Sequence, residues 1–471
     1  MNKSTNKFKF VFGLISACLL VVSLQPSAFS SELSDDYDSL ILQPKEIVLK
    51  TKRSGRLMYK YAGPRYKKIK DNIYLIPLSK NDSAETKKQR IAELKQSGVF
   101  DLVEPDYKLV LDQEETERIY TKIIKHSEGE NKPAITINAT LDEPKEVTPN
   151  DKDFTAQYYL REINAPKAWG ITVGNTQVGV LDTGVDINHP DLNGKVSSGT
   201  GVNDIDLNDT IGHGTEVSGI IAANTNNNQG IAGVSWNTKI LSLKITDDYG
   251  QARVSNVVSA LDQAYVKGVK IVHISLSTNQ FSQTLKDAVK EAYGRGILII
   301  STAGNSGIEE LRYPAAFEGV IGVGAVNETK QKEFYSTTGE HISLVAPGAL
   351  IYTTSLNSTY DKVTGTSFAA PQISGAAALI WSIAPNLTND EVRNILISSA
   401  DDLGASGKDK QYGYGLLNIE KAAQMAKAKA TTSTNIPQTL GADQAPIKTP
   451  EIIPIQSPVS LPTIQVPALS L

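Results

Sequence analysis

The run QVGVLDTGVDINHPDL (residues 177–192) decides how the chain is read. Its first residues are apolar without alternation, the pattern of a strand buried on both faces of a parallel sheet. The run then stops on Asp182, followed by Thr-Gly. A carboxylate at the end of a buried strand is costly unless something pairs with it, although Asp is also a common turn residue. Similar apolar runs recur: KILSLKI (239–245), VKIVHISLS (269–277), GILIIST (296–302), GVIGVGAV (319–326) and HISLVAP (341–347). Between them lie helical stretches such as VSNVVSALDQAYVKG (254–268) and FSQTLKDAVKEAYGRG (281–296). The alternation predicts an α/β fold: a mostly parallel sheet with helices on both faces. In such folds ligands bind beyond the carboxyl ends of the strands.

Three further stretches qualify by that criterion. IGHGTEVSGIIAA (211–223) places His213 between two glycines at the start of an apolar helix. His273 is mid-strand and reads as a satisfied core residue, His189 and His341 sit in loops, and His126 falls in a linker. STAGNSG (301–307) ends a strand at Gly304-Asn305, where an uncrowded side-chain amide can serve an oxyanion or simply fill a turn. GTSFAAP (365–371) puts Ser367, walled by Gly, Thr and Ala, at the mouth of the apolar run QISGAAALIWSI. Ser there reads either as a helix N-cap or as a nucleophile at a helix N-terminus.

Asp, His and Ser, each after a strand and flanked by small residues, follow the triad order of subtilisin. In VGVLDTGVDINHPDL, GHGTEVSG and GTSFAAP the sequence resembles the subtilisin-like serine proteases over Val147 to about Lys427. The resemblance implies Ser367 as nucleophile, His213 as general base and acid, Asp182 as its orienting partner, and Asn305 with the Ser367 amide as oxyanion hole. It also implies that Ser275, Leu276, Ser277 and Gly304 line the substrate track, which binds peptide by strand addition. Glu216 and Gln372 stand where many relatives have further histidines, and Ser277 where glycine is usual. Arg312, before Tyr313-Pro314, aligns near the floor of the specificity pocket, pointing either into it or to solvent.

ANTNNNQGIAG (223–233) is similar to the calcium loop of thermitase-like members, and VTPND (147–151) to their mature N-terminus. The resemblance implies calcium held by Asp151, Asp191 and Asn227 side chains and by the carbonyls of Asn224, Gln229 and Ile231. Oxygen-only donors suit a hard cation.

Of the 471 residues, the first 30 carry Lys3, Lys7 and Lys9, an apolar stretch from Phe10 to about Leu24, and Ala28-Phe29-Ser30. That is a secretory signal layout; the apolar stretch is shorter than the ~20 residues that span a bilayer. A lipid anchor at Cys18, the single cysteine, is a minor alternative. Residues 31–146 read as a propeptide, with an α+β inhibitor-like module over 45–111 and a charged linker over 112–146. EIVLK (46–50) and IYLIP (73–77) predict strands, and 83–98 a helix capped by Ser83. The module resembles the family's propeptide most in VEPDY (103–107). It carries 16 basic and 8 acidic residues, net +8, against 21 and 28, net −7, over 147–427. Residues 428–471, with seven prolines and four charges, read as an extended tail.

These observations predict a secreted, monomeric, calcium-stabilised serine endopeptidase made as a self-processing pre-pro-enzyme, with protein or peptide substrates and its own propeptide as inhibitor. A dedicated maturation protease for one peptide or leader is the runner-up. An inactive binding module is disfavoured by the intact Asp, His, Ser and Asn set. A dinucleotide-binding enzyme is disfavoured because no G-x-G-x-x-G links a strand to a helix, and a net charge of −4 gives no hint of nucleic acid.

Overall fold

A computed structural model of the chain describes residues 37–45, 60, 65–111, 145–202 and 208–434. The signal-like N-terminus, Cys18, EIVLK, most of the linker and the tail beyond residue 434 lie outside these residues.

The N-terminal module is built from β1 (Ser39–Pro44), β2 (Lys67–Lys70), β3 (Ile73–Pro77), α1 (Ala84–Gln96) and β4 (Phe100–Pro105). Its strands form an antiparallel sheet in the order β2-β3-β1-β4. β1 therefore lies inside the sheet, ahead of Lys45, where the sequence reading opened the module. Leu40 and Leu42 alternate onto the face that α1 covers, meeting Leu94, Phe100 and Val103. Ser83 Oγ caps α1 by accepting from the Thr86 amide at 3.1 Å. The module ends in β5 (Lys108–Val110).

The larger domain opens with the short helices α2 (Tyr158–Glu162) and α3 (Ala165–Ala168). Its sheet comprises β6 (Val178–Asp182), β7 (Val196–Gly201), β8 (Ile240–Lys244), β10 (Ile271–Ile274), β11 (Leu298–Thr302), β12 (Ile321–Val326) and β13 (Ile342–Pro347). All neighbours in the order β13-β12-β11-β10-β6-β8-β7 run parallel. Val180, Ile271 and Ile300 face α4 (His213–Ala222) and α7 (Thr366–Ile383), whereas Leu181, Val272 and Ile299 face α5 (Val254–Val266) and α6 (Gln283–Gly294). Because both faces are covered, every residue of these strands with described burial is apolar, small or paired. The strand β9 (Gln251–Arg253), the hairpin β14 (Ile351–Ser355) and β15 (Thr359–Val363), and the helices α8 (Asn389–Ser398) and α9 (Ile419–Thr434) complete the described chain. α9 continues past Lys427, where the sequence reading placed the end of the domain.

The module docks on the α5/α6 face. Glu104 accepts from Ser282 Oγ at 2.7 Å and from the Gln283 and Thr284 amides at 3.1 Å, at the start of α6. Asp106 accepts from the Ser255 amide at 2.9 Å and hydroxyl at 2.7 Å, at the start of α5. Anionic caps on free amides are favoured by the helix dipole. Burial pushes the Asp106 carboxyl up to about 6, against the pull of the Ser255 bonds. Lys70 Nζ reaches Glu291 at 2.7 Å and Asp262 at 3.6 Å across the same interface. β5 runs antiparallel to β9, pairing Lys108 with Arg253, Leu109 with Ala252 and Val110 with Gln251.

Candidate active site

Asp182 is the last residue of β6, near the middle of the sheet, and His213 the first residue of α4. Asp182 Oδ1 lies 2.7 Å from His213 Nδ1, with both side chains almost fully buried. Oδ1 also accepts from the Thr183 amide at 2.7 Å. The glycine after His213 is required by packing: a Cβ on Gly214 would sit 2.0 Å from the Gly184 carbonyl oxygen and 3.2 Å from Asp182 Cβ. Asp209 folds the approach to α4, accepting from the Gly212 amide at 2.8 Å, the Thr215 amide at 3.0 Å and Thr183 Oγ1 at 2.9 Å. Sequence reading passed over Asp209, which belongs to no motif.

Burial alone would lower the His213 pKa. The Asp182 charge and hydrogen bond, joined by Glu216 and Asp209, outweigh it and hold the pKa above its usual value. Nε2 is buried with no hydrogen-bond partner among the described residues, and the ring packs 5.4 Å from that of Phe368. The imidazole ring thus lies beside the first turn of α7.

Ser367 is the second residue of α7, and the N-cap is Gly365. Ser367 is not a helix cap; its Oγ donates to the Ser275 carbonyl at 3.3 Å. Four residues on, Pro371 has no N–H to offer the Ser367 carbonyl. Ser275 Oγ fills that place at 3.0 Å, and in turn lies 2.6 Å from His273 Nε2. His273 Nδ1 meets Ser374 Oγ of α7 at 3.0 Å, and burial pushes the imidazole down to about 3, so it stays neutral. The core histidine is satisfied, as the sequence suggested, but its partners tie β10 to the first turns of α7.

Asn305 follows Gly304 beyond β11. Its Oδ1 accepts from the Thr366 amide at 3.0 Å and hydroxyl at 2.7 Å, which fixes the side-chain amide against α7. Val110 of β5 exchanges two backbone bonds with Ser277, at 3.0 and 3.3 Å. β5 is therefore held between β9 and the Ser275-Leu276-Ser277 segment. Arg312 is buried rather than turned to solvent, with Glu310 Oε1 3.6 Å from Nη1.

The Asn-rich loop surrounds Asp191. Its Oδ2 accepts from the Ile231 amide and from Tyr360 Oη, both at 2.9 Å, and Oδ1 from Asn227 Nδ2 at 2.7 Å. The Asn224 amide donates to the Asp191 carbonyl at 2.7 Å, and the Gln229 amide to Asn227 Oδ1 at 2.9 Å. Asp151 accepts from the Asn226 amide at 3.0 Å and the Asn227 amide at 3.2 Å. Its pKa is raised by burial and, more weakly, by the charge of Asp191. The six residues of the sequence reading thus gather at one place, although no three His, Cys, Asp or Glu side chains converge among the described residues.

The subtilase family profile matches residues 174–415. The chain belongs to the subtilase family. Subtilisin DY of Bacillus licheniformis is 39% identical over 276 residues, covering 57% of this chain and 99% of that protein. Thermitase of Thermoactinomyces vulgaris is 36% identical over 281 residues, covering 59% and 99%. A solved protease from Pseudoalteromonas arctica PAMC 21717 superposes with a TM-score of 0.56 at 27% identity, covering 59% of this chain and all of that one. As a subtilase of the α/β fold, the protein is a serine endopeptidase.

Proposed function

We propose that this subtilase hydrolyses peptide bonds through Asp182, His213 and Ser367, and that it is made as a secreted, self-processing precursor. The observation that carries the reading is the buried 2.7 Å contact between His213 Nδ1 and Asp182, with Nε2 unpaired among the described residues and the ring 5.4 Å from that of Phe368, next to Ser367 in sequence. In this reading His213 takes the Ser367 proton as Oγ attacks the scissile carbonyl. The resulting imidazolium is stabilised by Asp182, then protonates the leaving amine. Asn305 and the Ser367 amide hold the oxyanion, and water releases the acyl group by the reverse path. Ser275, Leu276, Ser277 and Gly304 bind the substrate backbone.

Residues 1–30 serve as signal, 31–146 as propeptide and 147–427 as the catalytic domain. The module, docked with β5 in the substrate track, acts as an intramolecular inhibitor. The mature domain works as a monomer. Among the described residues no helix is long and apolar enough to cross a membrane. Calcium fits the residues around Asp191 in chemistry: two carboxylates whose charges oppose each other, an Asn side chain and loop carbonyls, without sulfur or imidazole. Asp151, Asp191 and Asn227 would hold it with the Asn224, Gln229 and Ile231 carbonyls, where it offsets that repulsion and fastens the loop.

Expression of the full chain and of Ser367→Ala in a protease-free host tests the core of this reading. The parent chain should shed its N-terminal segment and digest casein, and the variant should do neither. An active variant would sink the assignment of the nucleophile.

A further inference from the structure

The route of β5 through the substrate track fixes where a bound peptide meets the nucleophile. Val110 stands opposite Ser277, bonded to it through both backbone groups. In an antiparallel pair, two residues forward on one strand is two residues back on the other. The peptide residue opposite Ser275 is therefore the second after the one facing Ser277. Ser275 is the residue whose carbonyl lies 3.3 Å from Ser367 Oγ. That second residue is the one whose carbonyl is cut.

Its side chain has Arg312 beside it. Thr278, next to Ser277, exchanges two backbone bonds with Tyr313 at 3.0 and 2.8 Å, which draws residues 312–313 against the end of β10. From the other side, Gly304 backs onto the same arginine. A Cβ there would meet Arg312 Nε at 2.7 Å and Cγ at 3.1 Å. The residue next to Asn305 thus has to be glycine, here with φ +93°, because the guanidinium stem occupies its side-chain space. Arg312 is only 9% exposed, between the ends of β10 and β11. Glu310 Oε1 already lies 3.6 Å from Nη1, and a guanidinium, with five N–H donors in a planar fork, can take a second carboxylate through two parallel hydrogen bonds.

The chain's own sequence carries such a carboxylate two residues after Val110. Counting two residues on from Val110 gives Asp112, in the run Leu111-Asp112-Gln113-Glu114. We propose that this peptidase selects Asp or Glu on the amino side of the bond it cuts, with Arg312 as the residue that reads the carboxylate. The inference rests on the peptidase reading and names its substrate class. Water is the only co-reactant: the C–N bond is replaced by C–O, and the amine leaves with the proton from His213.

The test uses mature enzyme purified from the full chain and the decapeptide of this sequence from Tyr107 to Thr116, with Asp, Glu, Asn or Lys at position 112. Cleavage after residue 112 should be at least about tenfold faster in kcat/KM with Asp or Glu than with Asn, and slowest with Lys. The ratio of Glu to Asn should collapse toward one in Arg312→Gln and survive in part in Arg312→Lys. Equal rates for Asp and Asn peptides in an enzyme that digests casein overturn the inference but leave the peptidase reading standing, as does an acidic preference that Arg312→Gln leaves intact. Failure to cut casein or any peptide removes the peptidase reading itself.

Discussion

The groups around Ser367 and the Asp151 and Asp191 carboxylates held by the Asn-rich loop are both buried, and they are built on opposite terms. Asp182, Asn305 and Ser275 project from or just beyond strand ends, and His213 and Ser367 from the first turns of two helices packed on the same face. The sheet fixes them, and His213 Nε2 has no hydrogen-bond partner among the described residues. Around Asp191 the carboxylate oxygens are already engaged by Asn227, Ile231 and Tyr360. A scaffold can hold catalytic groups in waiting because sheet and helix packing compensates for their desolvation. A loop can hold two carboxylates only by consuming its own donors or by binding a cation.

That contrast is open to direct attack. Ser367→Ala should lower kcat/KM by on the order of 10⁴ or more and leave the melting temperature almost unchanged, as measured by casein digestion and calorimetry. An equally large loss of melting temperature would mean that the nucleophile is part of the stability of the fold. Calcium removal should do the opposite. A cation at 100 to 1,000 times its Kd contributes about 3–4 kcal/mol, which is on the order of 10 °C for a domain of this size. Activity well below the transition should persist in chelator, and Asp191→Asn should erase the calcium dependence of melting.

Ser275→Ala sharpens the comparison inside the catalytic group. It leaves the Ser367 carbonyl without its hydrogen bond next to Pro371, at a cost of about 1–3 kcal/mol in stability. The turn bearing the nucleophile should loosen, so kcat should fall more than KM rises. Added in trans, an N-terminal fragment from residue 37 to 111 should inhibit the mature enzyme, more weakly as salt screens Lys70 from Glu291 and Asp262. The same fragment starting at Lys45 lacks β1 and should not inhibit. Asp106, at about 6 when docked against an ordinary 3.8 when free, takes up a proton on docking. Its contribution therefore opposes docking above about pH 6 and fades as pH falls, so the fragment should bind tighter at pH 5 than at pH 7.5. The smallest effect is expected from Glu216→Gln. The Glu216 charge helps raise the His213 pKa, and His213 must be neutral to act as base. The acid limb of the rate profile should move to lower pH.

The parallel sheet was legible because its strands are buried on both faces and need long apolar runs, which turn residues then punctuate. The groups around Ser367 were legible because small residues must surround them, as the space beside Gly214 illustrates. What escaped reading depends on distant partners. Asp106 looked like an ordinary turn residue, and its partner Ser255 lies 149 positions away. β1 is a short apolar run whose place inside a sheet depends on β3 and β4. The hairpin over 351–363 was unread because TYDKV is mostly exposed and lacks a strong apolar pattern. The orientation of Arg312 was undecidable until its neighbour Gly304 was seen to yield it space.

The caps supplied by Glu104 and Asp106 bear on how the chain reaches its fold. The N-cap residue of α5, Arg253, offers no side-chain cap, so the first turn is closed by a residue of the module. α6 has Ser282 of its own and gains Glu104 in addition. A chain that folds with the module attached therefore forms the start of α5 against a ready partner, and one refolding without it must form that start bare. Each lost cap costs about 1 kcal/mol, and the two helices stand side by side on one face of the sheet, so the losses fall on the same assembly step. Refolding of the shortened chain should consequently be slower than refolding of the chain that keeps the module, as measured by stopped-flow fluorescence in the same denaturant.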